Sequence, residues 1–344
     1  MEKLTVRTLA DIEEIEKVPL RERLNVDNTY DFIKGGVAID PDKVALSFLM
    51  SGAVWDSPVD ITYAQLMGRI NQTANLCRDL GIGASDVATM LLPNLPHAHF
   101  ALWGTEAAGI VNPINPMLNP GTIRDICNAA KTKVLFALGD MPGADIWPKV
   151  EQIRNEIPTL EAVVRVMGPS DEAEGIYGFD EVIDRYRADG LDFERTIGPD
   201  EVSSLYHTGG TTGTPKLAMR THFNEVFMAW AIGVMGGMDG GDTLMCGLPL
   251  FHVNGTTVTG LMPFSVGARV VLLSPRGYRD PDIMKNFWKI VDRYEACFFS
   301  SVPTVLSVLL DVPIGDADIS SLKNAICTPA RCRSLSCSSR REWT

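Results

Sequence analysis

The stretch LYHTGGTTGTPKLAMRTH, residues 205–222, gathers glycines and threonines around one lysine. Three readings compete for it: a phosphate cradle, a flexible linker, or a turn rich in small residues. The preceding VSSLYH (202–207) reads as a strand, and THFNEVFMAWAIGVM (221–235) reads as a helix. A small-residue loop in that setting suits an anion. Glycine lets the backbone approach closely and take unusual dihedrals, so successive N–H groups can converge on phosphate oxygens. Thr208, Thr211 and Thr212 add hydroxyl donors, and Lys216 adds a mobile positive charge. The helix beginning near Thr221 contributes only if its N-terminus faces the same site. The pattern is not a Walker A loop, which needs Gly directly before Lys and Ser or Thr after it. Here the order is Gly213-Thr214-Pro215-Lys216-Leu217, and Pro215 stiffens the approach to Lys216. The ordered string TGGTTGTPK behind a strand favours the cradle over a surface turn.

Outward from the loop, the chain alternates strands and helices. Residues 61–81, ITYAQLMGRINQTANLCRDLG, form a clear helical pattern, with Thr62 and Gln65 as a capping box and Gly81 as its stop. DVATMLLPN (86–94) reads as a buried strand, HAHFALWGTEAAG (97–109) as a helix and IVNPINP (110–116) as a strand ending in proline turns. KVLFAL (133–138) and AVVRVM (162–167) are further strands. Beyond a turn-rich connector come the apolar strands DTLMCGLPL, ARVVLLS and EACFFSS, with TTVTGLMPF and PDIMKNFWKIVDRY as helices between them. This rhythm implies an α/β fold with a mainly parallel sheet covered on both faces. The expected division is a first α/β part over 1–200, a second carrying the loop over 201–326, and a tail over 327–344, the first two being layers of one large body.

Composition excludes several classes. The formal net charge is −12, which opposes broad nucleic-acid binding. No apolar run reaches the ~18 residues of a spanning helix, and the N-terminus lacks the apolar core of a secretory signal. A cytoplasmic protein is expected. The seven cysteines lack CxxC spacing, so buried reduced thiols are expected and no metal site is read from them.

The loop resembles the phosphate-binding signature of the adenylate-forming superfamily, which includes acyl-CoA synthetases, aryl-CoA ligases, luciferases and peptide-synthetase adenylation domains. Its usual form is T-S-G-T-T-G-x-P-K-G followed by a T-H pair. Thr208, Gly210, Thr211, Thr212, Gly213, Pro215, Lys216, Thr221 and His222 match, whereas Gly209 replaces Ser and Leu217 replaces Gly. ITYAQL, LLPN and AAGIVNPINP are similar to earlier landmarks of the family. PLFHVNG (249–255) resembles its next motif, and SVPTVLSVLL (301–310) a segment that helps wall the acyl pocket. They occur in family order between residues 28 and 326.

The resemblance implies the large multi-layer N-terminal domain of that fold, incomplete at its C-terminus. It implies that a carboxylic acid, fatty or aryl, attacks the α-phosphate of ATP, that pyrophosphate leaves, and that CoA displaces AMP from the acyl-adenylate. Thr208, Gly209, Gly210, Thr211, Thr212, Gly213, Thr214, Pro215 and Lys216 would hold the ATP phosphates, with Mg²⁺ sharing their charge. His252, Asn254 and Gly255 would border the acid. A lone His near apolar strands is more often structural, but within PLFHVNG the wall role is favoured, as orientation more than proton transfer. His207 and His222 flank the loop, and structural hydrogen bonding and nucleotide proximity stay equally open for them. His97 and His99 are not expected to be catalytic. AWAIGVMGGM (229–238) either lines an acyl tunnel or is a core helix ending in a glycine turn.

The last residues break the pattern. After LKNAIC (322–327) comes TPARCRSLSCSSRREWT, rich in Arg, Ser and Cys and without hydrophobic period. The family's Y-G-x-T-E motif, its ribose-binding Asp and its catalytic Lys do not appear, so no residue here inherits those roles. One codon choice for PARCRSLS, shifted by two bases, reads GAMPLSV, which resembles the family's missing turn. A frameshifted or truncated chain of impaired activity is the expectation; an inactive nucleotide- or acyl-binding fragment, and a genuine basic tail, are the alternatives.

Overall fold

The computed structural model describes residues 6–208 and 216–327. Its strands form two sheets. The first has the order β7-β6-β5-β3-β4-β8-β9, with β3 Val87–Leu91, β4 Ile110–Pro113, β5 Thr132–Leu138, β6 Ala162–Val166, β7 Ile176–Gly178, β8 Val202–Thr208 and β9 Lys216–Thr221. The second has the order β13-β12-β10-β11-β1-β2, with β1 Val44–Leu49, β2 Val59–Thr62, β10 Thr243–Cys246, β11 Arg269–Leu273, β12 Phe298–Ser301 and β13 Asn324–Cys327. Pairing is parallel throughout except at one edge of each sheet, where β9 runs antiparallel to β8 and β2 antiparallel to β1. The mainly parallel α/β reading therefore stands, with two sheets rather than one. Both sheets take strands from either side of residue 200.

Sequence periodicity explains how the layers stack. Along β11, Val270 and Leu272 join the main core, while Val271 and Leu273 join a second core with Phe287, Trp288 and Val291. Successive side chains alternate faces, so both faces of β11 are covered, as its apolar run Val270–Leu273 requires. The helix Pro96–Ala108 is buried at every position except His97, as expected of an element enclosed on all sides. It packs beside the helix Tyr63–Asp79, whose capping box forms as expected: Thr62 Oγ1 accepts from the Gln65 amide and Gln65 Oε1 from the Thr62 amide. Residues 61 and 62 belong to β2, so the helix starts at Tyr63. Gly81 follows it at φ +82, a left-handed position that glycine takes without strain.

One expectation about the loop fails. The chain does not pass from loop to helix. It returns as β9, pairing Thr208 with Lys216, Tyr206 with Ala218 and Ser204 with Arg220. The helix His222–Gly236 begins only after β9, with Thr221 as its N-cap. Six strand residues at ~3.3 Å each carry that N-terminus to the far end of the hairpin. It cannot assist at the loop. The segment 254–266 is also less regular than expected: a π-helix, Asn254–Leu261, runs into a short α-helix, Met262–Val266.

Candidate functional site

Parallel α/β sheets tend to place ligands beyond the C-terminal ends of their strands, because the connecting loops converge there. Five segments singled out in the sequence leave strands at that end. LLPN follows β3, INP follows β4, the glycine-threonine loop follows β8, PLFHVNG follows β10 and the helix Pro303–Leu309 follows β12.

Hydrogen bonds tie these segments together. Asn94, the last residue of LLPN, is buried; its Nδ2 donates to Leu248 O (3.1 Å) and its Oδ1 accepts from the Leu250 amide (3.1 Å). One side chain thus fixes the start of PLFHVNG. The Asn115 amide, in the proline turn after β4, donates to His207 Nε2 (3.2 Å). The His207 ring stacks on Phe251, with centroids 6.4 Å apart. The base of the loop and the PLFHVNG segment are therefore neighbours.

Thr208 and Lys216 stand at the mouth of the hairpin, exposed, with Thr208 Oγ1 donating to Lys216 O (3.4 Å). Gly209, Gly210, Thr211, Thr212, Gly213, Thr214 and Pro215 lie outside the described residues. His252 is exposed, and its Nδ1 accepts from the Asn254 amide (3.2 Å). Partial burial holds its pKa below the usual 6.5. Burial, and then the charge His252 would carry, do the same to His207. Both imidazoles are thus biased toward the neutral form. With Nδ1 engaged as an acceptor, the proton of neutral His252 sits on Nε2, a donor available to a carboxylate. Asn254 and Gly255 are buried in the first turn after it. A Cβ on Gly255 would lie 2.3 Å from Pro249 O, so only glycine allows the turn to close against that carbonyl.

The other histidines separate from the site. His222 is buried at the start of its helix, beyond β9, where the Thr29 amide donates to its Nδ1 (3.5 Å). Burial lowers its pKa to about 4. His99 is fully buried against Phe264, with its pKa lowered to about 3 by burial, and His97 meets Asp180 at 3.0 Å. Met228 and Met235 are exposed on the helix His222–Gly236, which ends in a left-handed Gly237. Cys77, Cys127, Cys246 and Cys297 are buried free thiols, each pushed up to about 12 by burial.

Sequence reasoning missed Asn94 as a clamp, and missed a buried polar group behind the hairpin. Glu225 Oε1 accepts from Ser203 Oγ (2.7 Å) and Ser204 Oγ (2.5 Å). Glu106 Oε2 accepts from Thr29 Oγ1 (2.6 Å). Burial, and then the neighbouring Glu225, raise the Glu106 pKa well above 4.5, which favours its protonated form. The only advance signal was a Glu within an otherwise apolar helix, TEAA.

The family of AMP-binding enzymes matches residues 36–337. The chain belongs to that family. As a member, it is 31% identical over 324 residues to the marinolic acid–CoA ligase of Pseudoalteromonas sp. (strain SANK 73390), covering 92% of this chain and 49% of that protein. It is 29% identical over 279 residues to the sulfoacetate–CoA ligase of Cupriavidus necator, covering 80% of this chain and 50% of the relative. This AMP-binding chain thus spans about half the length of the curated relatives it matches. In fold it resembles the anthranilate CoA ligase AuaEII in complex with anthranoyl-AMP (TM-score 0.75, 22% identity, 91% of this chain and 56% of that one). It also resembles the N-terminal domain of FACL13 from Mycobacterium tuberculosis (TM-score 0.73, 20% identity, 89% and 70%).

Proposed function

We propose that this chain binds ATP at the β8–β9 hairpin and a carboxylic acid beside His252, as the acid-activating part of an acid–CoA ligase. The observation that carries the reading is the junction of the two motifs: the hairpin mouth with Lys216 and the His252 segment meet through His207 and Phe251. The reaction is attack of the carboxylate on the α-phosphorus, with pyrophosphate leaving and an acyl-adenylate forming. The thiol of CoA then displaces AMP to give the thioester.

In that chemistry the protein mainly positions groups and neutralises charge. In this reading Lys216 and the Thr208 hydroxyl hold the departing phosphates, together with residues 209–215. His252 Nε2–H orients the acid, and Asn254 and Gly255 form the turn that presents it. Among the described residues, no three His, Cys, Asp or Glu side chains lie together to hold a metal ion. Mg²⁺ enters this reading only as the counter-ion that ATP brings. Among the described residues, no helix is long and apolar enough to cross a membrane, and a cytoplasmic setting is part of the proposal.

The relatives named for marinolic acid and sulfoacetate, and the neighbour holding anthranoyl-AMP, supply the acids to try, beside fatty and aryl acids. Calorimetry with Mg-ATP tests the nucleotide half, and ATP–pyrophosphate exchange over that panel tests the acid half. Saturable ATP binding, weakened about tenfold by Lys216→Ala, is expected, with exchange impaired. Absence of saturable binding in the native chain would overturn the reading. ATP binding without exchange for any acid would leave the nucleotide- or acyl-binding fragment as the function.

A further inference from the structure

β9 carries a partly enclosed cation whose role lies outside the loop motif. Arg220 pairs with Ser204 across the hairpin, four residues beyond Lys216. Side chains alternate along a strand, so Lys216 and Arg220 share one face, and Thr208 and Tyr206 share it from β8. Only 15% of the Arg220 side chain is exposed. Its Nη1 lies 3.6 Å from Glu225 Oε2, its Nη2 donates to Thr257 Oγ1 at 3.2 Å, and its guanidinium carbon sits 5.5 Å from the Tyr206 ring centroid. The Tyr206 hydroxyl in turn bonds Thr256 Oγ1 at 2.9 Å. Each strand of the hairpin therefore grips one of two adjacent threonines in Asn254–Leu261, the helix that begins two residues after His252.

The Ser203 and Ser204 hydroxyls fix Glu225, and its second carboxylate oxygen faces the guanidinium as an ion pair at 3.6 Å, longer than a hydrogen bond. The enclosed guanidinium makes its side-chain hydrogen bond to Thr257, and moving away would leave that buried donor unsatisfied. The hairpin cannot shift relative to the Thr256–Thr257 turn without breaking one of the two grips.

We propose that Arg220 is a positioning residue that couples the phosphate hairpin to the helix bordering the acid, so that nucleotide bound at the hairpin orders the segment after His252. The inference rests on the proposed ATP site. By reciprocity, ligand held beside His252 favours the nucleotide-bound setting of the hairpin.

Hydrogen exchange of the whole chain, with and without Mg-ATP, tests this. In the native protein, ATP slows exchange in residues 202–208 and 216–221 and also in 254–261, the latter by about fivefold or more. Thr257→Val keeps the side-chain shape and removes the hydroxyl. It leaves the hairpin protected and cuts the protection of 254–261 to about half or less, and Thr257→Ser restores it. Equal protection of 254–261 in Thr257→Val and native protein would overturn the coupling. Protection of the hairpin alone in the native protein would also sink it, while leaving the ATP site standing. Protection of neither segment would remove the ATP site and the coupling together. Thr257 is the better target, since truncating Arg220 unpairs the buried Glu225 and endangers folding.

Discussion

At the scale of single residues, buried polar groups hold the most information. Asn94 satisfies a carbonyl and an amide of one segment. Asn94→Ala removes both bonds and leaves their backbone partners buried, which costs about 2 kcal/mol; a lowered urea midpoint with unchanged slope is the expected result. Glu106 shapes the pH dependence. The unfolded chain releases its proton as pH passes 4.5, but the folded chain retains it to a higher pH. Its contribution is therefore complete below pH 4.5 and lost as pH rises through the folded value. His99 and His222 act in the opposite sense. Their folded pKa values lie at about 3 and about 4, so their contribution is present above 6.5 and lost as pH falls toward those values. Melting temperature should peak between the two limbs. Glu106→Gln should flatten the alkaline limb and leave the acid limb in place; an unchanged alkaline limb would mean that Glu106 is not the group responsible.

At the scale of elements, caps and close approaches decide where helices start. Thr62→Ala removes one half of the capping box of Tyr63–Asp79 and should cost about 1 kcal/mol, measured by urea unfolding. Gly255→Ala meets the Pro249 carbonyl, which cannot move away as a flexible side chain would. It should cost about 1–3 kcal/mol and displace His252, weakening acid binding as read by isothermal calorimetry. The capping box and Gly81 were legible because each is a local pattern of a few residues. β9 was not. KLAMRT carries no clean alternation, since its burial is mostly exposed or intermediate. As an edge strand, its pairing with β8 comes from a tertiary hairpin rather than from an apolar face.

At the scale of the whole molecule, the main core includes Leu135 and Val164 of one sheet and Leu46, Leu244 and Val270 of the other. Each sheet also draws strands from both sides of residue 200. Unfolding should follow one cooperative transition, with far-ultraviolet dichroism and tryptophan fluorescence superimposing. The tryptophans report on several layers: Trp103 and Trp147 join the main core, and Trp288 the second. Two separated transitions would show that the sheets unfold independently. At this scale the sequence reading was right about the alternating, mainly parallel, multi-layer architecture, and silent about which strands pair in which sheet. Strand order depends on which apolar faces meet, and β1, β3 and β11 are comparably apolar stretches that local periodicity cannot sort.

The sequence by itself determined the family, the capped helix and the buried strands, because each is written in contiguous residues. Only the tertiary structure decided that β8 and β9 form a hairpin, that the helix after β9 stands away from its mouth, that Asn94 ties LLPN to the start of PLFHVNG, and that Asn115 and Arg220 tie the hairpin to the turn after β4 and to Thr257. Those contacts join residues far apart in the chain, and strand order within one sheet and packing between the two bring them within hydrogen-bonding distance.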